Sequence, residues 1–182
     1  MKITKKWLKE KDACEDGYDW FCKQNETDSI KLIKKLMEEN LFRYANWLIV
    51  NLMEYKQYVA YEVFAAELAL PIYEAQHPDN SVLREAIEAA RKCIDDPRDE
   101  NKKKAYTAVS TAFSTTIAEH AFYVAPAAYC AAFSAAADVA DYTFYVVSAV
   151  TAANCAFMGM NTQKEIQQKI IEYGIKLLEE KQ

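Results

Sequence analysis

An all-α fold is what this sequence predicts: a single-domain bundle of about seven or eight helices, alanine-rich and closely packed in its C-terminal half. Three observations carry that expectation. The 182 residues include only three Gly and four Pro, and 52% are apolar, a composition that suits long elements with few sharp turns. Apolar residues recur at helical spacing in several segments. Between Ala105 and Gln163 there is no Lys or Arg and only three acidic residues, while alanine and aromatic residues alternate throughout.

The first thirty residues load Trp7, Leu8, Tyr18, Trp20 and Phe21 beside charges, consistent with a short helix and a turn at Asp16-Gly17 that together cap one end of the bundle. Thr27, Asp28 and Ser29 form a cap-like cluster. Behind it Ile30, Ile33, Leu36 and Met37 share one helical face and Lys31, Lys34, Lys35 and Glu38 the other. Leu41 to Met53 is nearly all apolar and reads as a buried helix at the centre, with Trp47 in the core. Tyr55 to His77 continues helically through Tyr58, Tyr61, Val63, Phe64 and Leu68, Phe64 being a second expected core aromatic. Pro71 removes a backbone donor and crowds the preceding turn, so it should bend this helix without ending it.

Ser81 to Ile94 follows, with Val82, Ala86, Ala89, Ala90 and Cys93 inward. Arg98 to Lys104 carries six charges in seven residues and reads as a linker, a sub-boundary between residues 1–97 and 105–182. In the alanine-rich part, Tyr106 and Phe113 are seven apart, as are Phe122 and Tyr129. Pro126 is placed to open a new helix after a break at Val124–Ala125. Thr162-Gln163-Lys164-Glu165 has capping-box spacing, and Ile166, Ile170, Tyr173 and Leu177 form the seam of a terminal helix.

Composition excludes several classes. The net charge of −5, with no basic stripe over the body, gives counter-ion release nothing to work with, so a nucleic-acid partner is not expected. The longest apolar run, Ala121 to Phe133, is 13 residues and contains Pro126, whereas a membrane-crossing helix needs about 20. No membrane association is expected. Five cysteines, Cys14, Cys22, Cys93, Cys130 and Cys155, are odd in number without a C-x-x-C, and the basic start at Met1 to Lys11 lacks the apolar stretch of a secretory signal. These point to the cytoplasm, with Cys130 and Cys155 as small core residues.

No constellation reaches the specificity of a catalytic motif, and the chain is read as non-enzymatic, without cofactor or metal. Glu74-Ala75-Gln76-His77 has the Glu-x-x-His spacing of di-metal bundles, yet His120 directly follows Glu119, so the second half of such a site is missing. Glu119, His120, Asp138 and Asp141 are the ionisable groups, apart from Tyr and Cys, of a low-charge region, and Tyr142 and Tyr145 lie one turn beyond the two aspartates. These six are the candidate binding residues: a polar pocket, or a surface for a partner's Lys or Arg. The competing reading, that they mark the solvent side of the helices, is favoured, since a helix pair must turn some face to water. Twelve tyrosines suit an interface and an alanine-rich core equally, and homo-oligomerisation stays open.

One stretch resembles a family of small bacterial and phage proteins classed as immunity proteins. It comprises Asn46-Trp47-Leu48-Ile49-Val50, Ala65-Ala66-Glu67, Pro71-Ile72-Tyr73-Glu74, Pro78-Asp79-Asn80 and Arg84-Glu85-Ala86-Ile87-Glu88-Ala89-Ala90. The match is firmest across Trp47 to Pro97 and compositional from Ala105 to Ala156. His77 stands where an aromatic is common, and Asp is sparse in the alanine-rich part. The resemblance implies a binding protein that neutralises another protein, a toxin or host defence effector, and transfers no catalytic residue. The alternative is a binder that sequesters a small molecule or nucleotide signal in a pocket of the alanine-rich helices lined by Asp141, Tyr142 and Tyr145.

Overall fold

The computed structural model describes residues 1–118, 124–136 and 142–180, and within them every side chain except 113, 115–118 and 142–145. Among the described residues there are ten helices: α1 (Lys5–Glu10), α2 (Glu15–Cys22), α3 (Ser29–Glu38), α4 (Phe42–Leu52), α5 (Tyr55–Gln76), α6 (Val82–Asp95), α7 (Asp99–Ala118), α8 (Val124–Ala136), α9 (Tyr142–Ala156) and α10 (Gln163–Glu179). The fold is all-α, with more helices than the sequence suggested. The surplus arises at the start, where two short helices replace the expected helix and turn. The chain reverses at Asp12, in the left-handed region at φ 52°, and Gly17 lies inside α2 instead of in a turn.

The N-terminal strand-like residues are tied to the start of α3. Ile3 N donates to Thr27 O at 2.7 Å and Ser29 N to Met1 O at 2.9 Å. Asp28 caps α3, its side chain accepting from Lys31 N at 3.0 Å, as the cap-like cluster suggested. α3 buries Leu32, Ile33 and Leu36. α4 packs on α3, α9 and α10 and is not the centre of the molecule. The centre is α5 and α8: α5 contacts α6, α8, α9 and α10, and α8 contacts α5, α6, α7 and α9. The reason lies in their composition. α5 buries residues on most sides, Tyr58 to Val63, Ala65, Ala66, Ala69, Leu70 and Tyr73, whereas α4 keeps Arg43 exposed and Phe42, Tyr44, Trp47 and Leu52 half-buried.

Trp47 and Phe64 are accordingly half-buried, not core residues. Each covers the bundle's flank through one ring contact, Trp47 edge-on to Trp7 at 6.0 Å and Phe64 stacked on Tyr173 at 4.1 Å. The interior beside them goes to Ile49, Val50, Tyr61 and Val63, all 2% exposed or less. α5 runs unbroken through Pro71, which is exposed, as expected for a proline whose ring side meets solvent. On α6 the inward face is Leu83, Ala86, Ile87, Ala90 and Cys93, with Val82 and Ala89 half-buried at its edge.

Residues 99–104 of the charged stretch are helical, where a linker was expected. They form the first turns of α7, with Asp99 and Glu100 at the helix N-terminus, where acidic groups oppose the helix dipole, and Lys104 Nζ bonded to Glu100 Oε1 at 2.7 Å. Val124 and Ala125 are already helical, so Pro126 sits in the first turn of α8 and not at its first position. α10 begins at Gln163 as the spacing suggested, but Thr162 makes no side-chain capping bond.

α7 packs along α8, and α8 along α9. α8 turns a nearly continuous small-residue surface inward: Ala125, Ala127, Ala128, Ala131, Ala132 and Ala135 are 0% exposed, while Tyr129 and Phe133 stack on each other at the flank. Ala132→Leu should therefore cost about 1–3 kcal/mol by overpacking, read as a lowered thermal midpoint. Half-buried Ala136 should accept leucine at smaller cost. An Ala132→Leu variant melting with the parent would mean that α8 has slack against its neighbours. Among the described residues no helix is long and apolar enough to cross a membrane.

Candidate functional site

The backbones of the N-terminal helices α1 and α2 approach each other at only a few positions, and neither packs tightly on the rest of the bundle. Side chains bridge the gap. Trp7 reaches Trp47 on α4, and Trp20 Nε1 donates to Glu39 Oε2 at 2.7 Å beyond α3. Gln24 Nε2 donates to Trp20 O at 2.9 Å and holds the end of α2 in place. A cavity of about 550 Å³ lies between this cap and the bundle. That volume falls in the usual range for small-molecule sites, ~300–1,000 Å³.

Six helices contribute to the wall. Its floor is apolar, from Leu8, Phe21, Leu32, Leu36, Leu48 and Val147, and Trp20, Phe42, Tyr44 and Trp47 supply aromatic surface. The charged side chains of the wall are Asp12 and Arg43, both exposed, so charge sits at the mouth with Cys14 and Thr151. The interior polar groups are carboxamides. Asn46 of α4 is 5% exposed, and its Oδ1 is buried without a hydrogen-bond partner. Asn154 of α9 also has a buried, unpartnered Oδ1. Gln163 and Gln167 of α10 complete the polar side. Both oxygens are closed off from solvent and hence from the cavity, so it is other atoms of these side chains that border it, and each unpaired acceptor costs about 1–3 kcal/mol.

A second polar island lies between α5 and α8. Glu62 and Ser134 are both 0% exposed, and Ser134 Oγ donates to Glu62 Oε1 at 2.9 Å while Oε2 has no partner. Burial holds the Glu62 carboxyl well above the usual carboxylate range, with the Ser134 bond opposing only in part. One turn before Ser134, Cys130 has its thiol pushed up to about 12 by burial, with the nearby Glu62 adding in the same direction. A thiol so raised is unreactive at neutral pH, which fits the expected core role of Cys130. Both side chains are sealed from solvent, so the pair belongs to the helix packing.

A depression of about 570 Å³ on the α5–α6 face is occupied by ion pairs. Arg84 binds Glu74 through two bonds of 2.8 and 2.7 Å, and Arg91 pairs with Glu67. Glu74 is thus engaged by Arg84, and His77 stacks on Tyr73 at 4.6 Å. Among the described residues no group of three potential metal ligands converges.

Of the residues singled out from sequence, Glu119, His120, Asp138 and Asp141 lie outside the described residues. Tyr142 and Tyr145 begin α9, but their side chains also lie outside the described set. The cavity draws instead on the later part of α9, Val147, Thr151, Asn154 and Cys155, so Cys155 is a wall residue and only partly a core one. The sequence held a signal for it: Asn46 interrupts an apolar helix and Asn154 an alanine-rich one. It held one for Glu62 too, the single charged side chain between Lys56 and Glu67. Comparison with protein-family models, with curated proteins and with solved structures returns no match to this chain.

Proposed function

We propose that this chain is a non-enzymatic binding protein that sequesters a small, uncharged, largely apolar molecule beneath its N-terminal cap. The observation that carries the reading is the cavity itself: about 550 Å³, with mostly apolar and aromatic walls, uncharged polar groups from Tyr44, Asn46, Thr151, Asn154, Gln163 and Gln167, and its charged residues Asp12 and Arg43 exposed. It keeps the small-molecule class of function but moves the pocket away from Asp141, Tyr142 and Tyr145. Five free thiols suit a reducing cytoplasm as its place of action.

All three tryptophans of the chain are at this site, Trp20 and Trp47 in the wall and Trp7 against Trp47. Titration with 1-aminoanthracene, an uncharged fluorescent aromatic, should quench tryptophan emission and raise the dye's own emission with one-site saturation. Val147→Trp, which places bulk in the wall, should weaken the dye by about tenfold while leaving the helical circular dichroism intact. A parent that does not bind the dye, or a variant that binds it equally, removes the cavity as the site.

A second reading keeps the immunity-type inhibitor, a protein that occludes a toxin or defence effector. Its support is the sequence resemblance, whose residues build α4 to α6, together with Met158 and Met160, which are 59% and 50% exposed in the turn between α9 and α10. Exposed methionines adapt well to a partner surface. Recovery of a stoichiometric protein partner that is lost with Met158→Ser and Met160→Ser would favour this reading.

A further inference from the structure

If the cavity binds a ligand as proposed, the ligand needs a way in, and the two halves of the wall differ in how firmly they are held. One half comes from α3, α4, α9 and α10, which pack on one another. The other comes from a single excursion of the chain, residues 4–26, which brings Leu8, Asp12, Cys14, Trp20 and Phe21 to the wall. Backbone ties close this excursion at its base: Ile3 N donates to Thr27 O at 2.7 Å, Ser29 N to Met1 O at 2.9 Å, and Lys2 and Asp28 form an antiparallel bridge. Between those ties neither α1 nor α2 packs its backbone tightly on the bundle. A segment fixed at both ends in one place and loosely packed in between can swing about that place as a unit. Exposed wall residues stand on both sides of the junction, Asp12 and Cys14 from the excursion, Arg43 and Thr151 from α4 and α9.

We infer that residues 4–26 act as one lid over the cavity, hinged on the paired segments 1–3 and 27–29 and latched by Trp20 and Glu39, and that the ligand enters and leaves when it opens. Leu8 and Phe21 are 5% and 8% exposed, and opening uncovers both, so the closed lid is the resting state. The latch is the bond that Trp20 Nε1 donates to Glu39 Oε2 at 2.7 Å. Glu39 is exposed just past α3 and takes no part in the wall, so it is a positioning residue for the lid and not a ligand contact.

Stopped-flow mixing of 1-aminoanthracene with the parent, Glu39→Ala and Glu39→Gln tests this. A weaker latch raises the open fraction of the free and the loaded protein alike. Entry and exit of the dye should therefore both quicken in Glu39→Ala, by about threefold to tenfold for the loss of a charge-assisted bond, while Kd stays within about twofold of the parent. Glutamine keeps an acceptor for the Trp20 N–H, and its rates should fall between the two. Hydrogen exchange reads the lid without the dye: amides of α1 and α2 should exchange ahead of those of α3 and α4, and faster still in Glu39→Ala. Three results overturn the lid while leaving the cavity a binding site: Glu39→Ala rates equal to the parent's, a change in exit alone, or amides of α1 and α2 exchanging only together with those of α3 and α4. A dye that binds neither parent nor variant removes the site and the lid with it.

Discussion

Gly174→Val should destabilise the protein by about 3 kcal/mol, lowering the thermal midpoint by about 6–12 °C for a chain of this size. Gly174 lies inside α10, buried at the contact with α4 and α5. A Cβ built there would come 2.9 Å from Ile49 Cγ2 and 2.9 Å from Tyr61 Cε2, closer than carbon atoms can approach. Neither neighbour can yield cheaply. Ile49 and Tyr61 are both 0% exposed, Ile49 is stiff at its branched Cβ, and the Tyr61 ring is closed in on all sides. Gly174→Ala separates backbone from packing effects. Alanine gains about 1 kcal/mol of helix propensity over glycine but should lose about 1–3 kcal/mol to the clash, a net loss. An alanine variant that melts at or above the parent would show that α10 can move off α4 and α5 without cost.

Glu62→Gln should leave stability nearly unchanged in acid and raise it increasingly as the pH climbs. Desolvation raises the carboxyl's pKa in the folded state, so the folded protein keeps its proton where the unfolded chain, with an ordinary value near 4.5, has released it. The stabilising contribution is complete below that ordinary value and is lost as pH rises toward the folded-state pKa, at about 1.4 kcal/mol for each pH unit over which the two states differ. Glutamine is uncharged at every pH and still offers an oxygen to Ser134. Other carboxylates act in the opposite sense. Glu26 is lowered by the backbone N–H groups of Asp28 and Thr27, Asp96 by its bonds to Arg98, and Glu100 by Lys104, so their contributions appear above the ordinary range and fade in acid. These effects occur equally in parent and variant, so the difference between the two melting curves from pH 4 to pH 8 isolates Glu62. A difference that stays flat over that range would place the carboxylate in contact with water or a cation.

Local signals in the sequence were read correctly where they depend on neighbours along the chain. The Asp28 cap opens α3 because a side-chain oxygen reaches an amide three residues on, and α5 persists through Pro71 because the residues around the proline keep helical spacing. Alanine enrichment in α8 announced close packing, since only small side chains let several helices approach one helix together. A charged run was harder to read. Asp99 and Glu100 precede Lys102, Lys103 and Lys104, and this acid-then-base order opens α7, with Lys104 bonded to Glu100 one turn before it, where a linker was expected.

What the chain's own order could not reveal is which faces meet. Leu41 to Met53 and Tyr55 to His77 are both apolar, and only the arrangement of neighbours makes α5 central and leaves α4 with one side on a cavity. The site's residues come from positions as distant as Leu8, Asn46 and Asn154, and no local spacing links them. They border one cavity because α1 and α2 fold against α3, α4, α9 and α10 around it. Glu62 is equally a product of tertiary structure: a lone acid in an apolar helix can snorkel to solvent or be sealed in, and the alanine face of α8 closing over α5 sealed it. The sequence by itself determined that this protein is helical, where most helices begin, and that alanine would bring some of them close. The packing of helix on helix decided the hollow under the cap and the polar atoms sealed in elsewhere, because burial depends on which surfaces are brought together and not on their order along the chain.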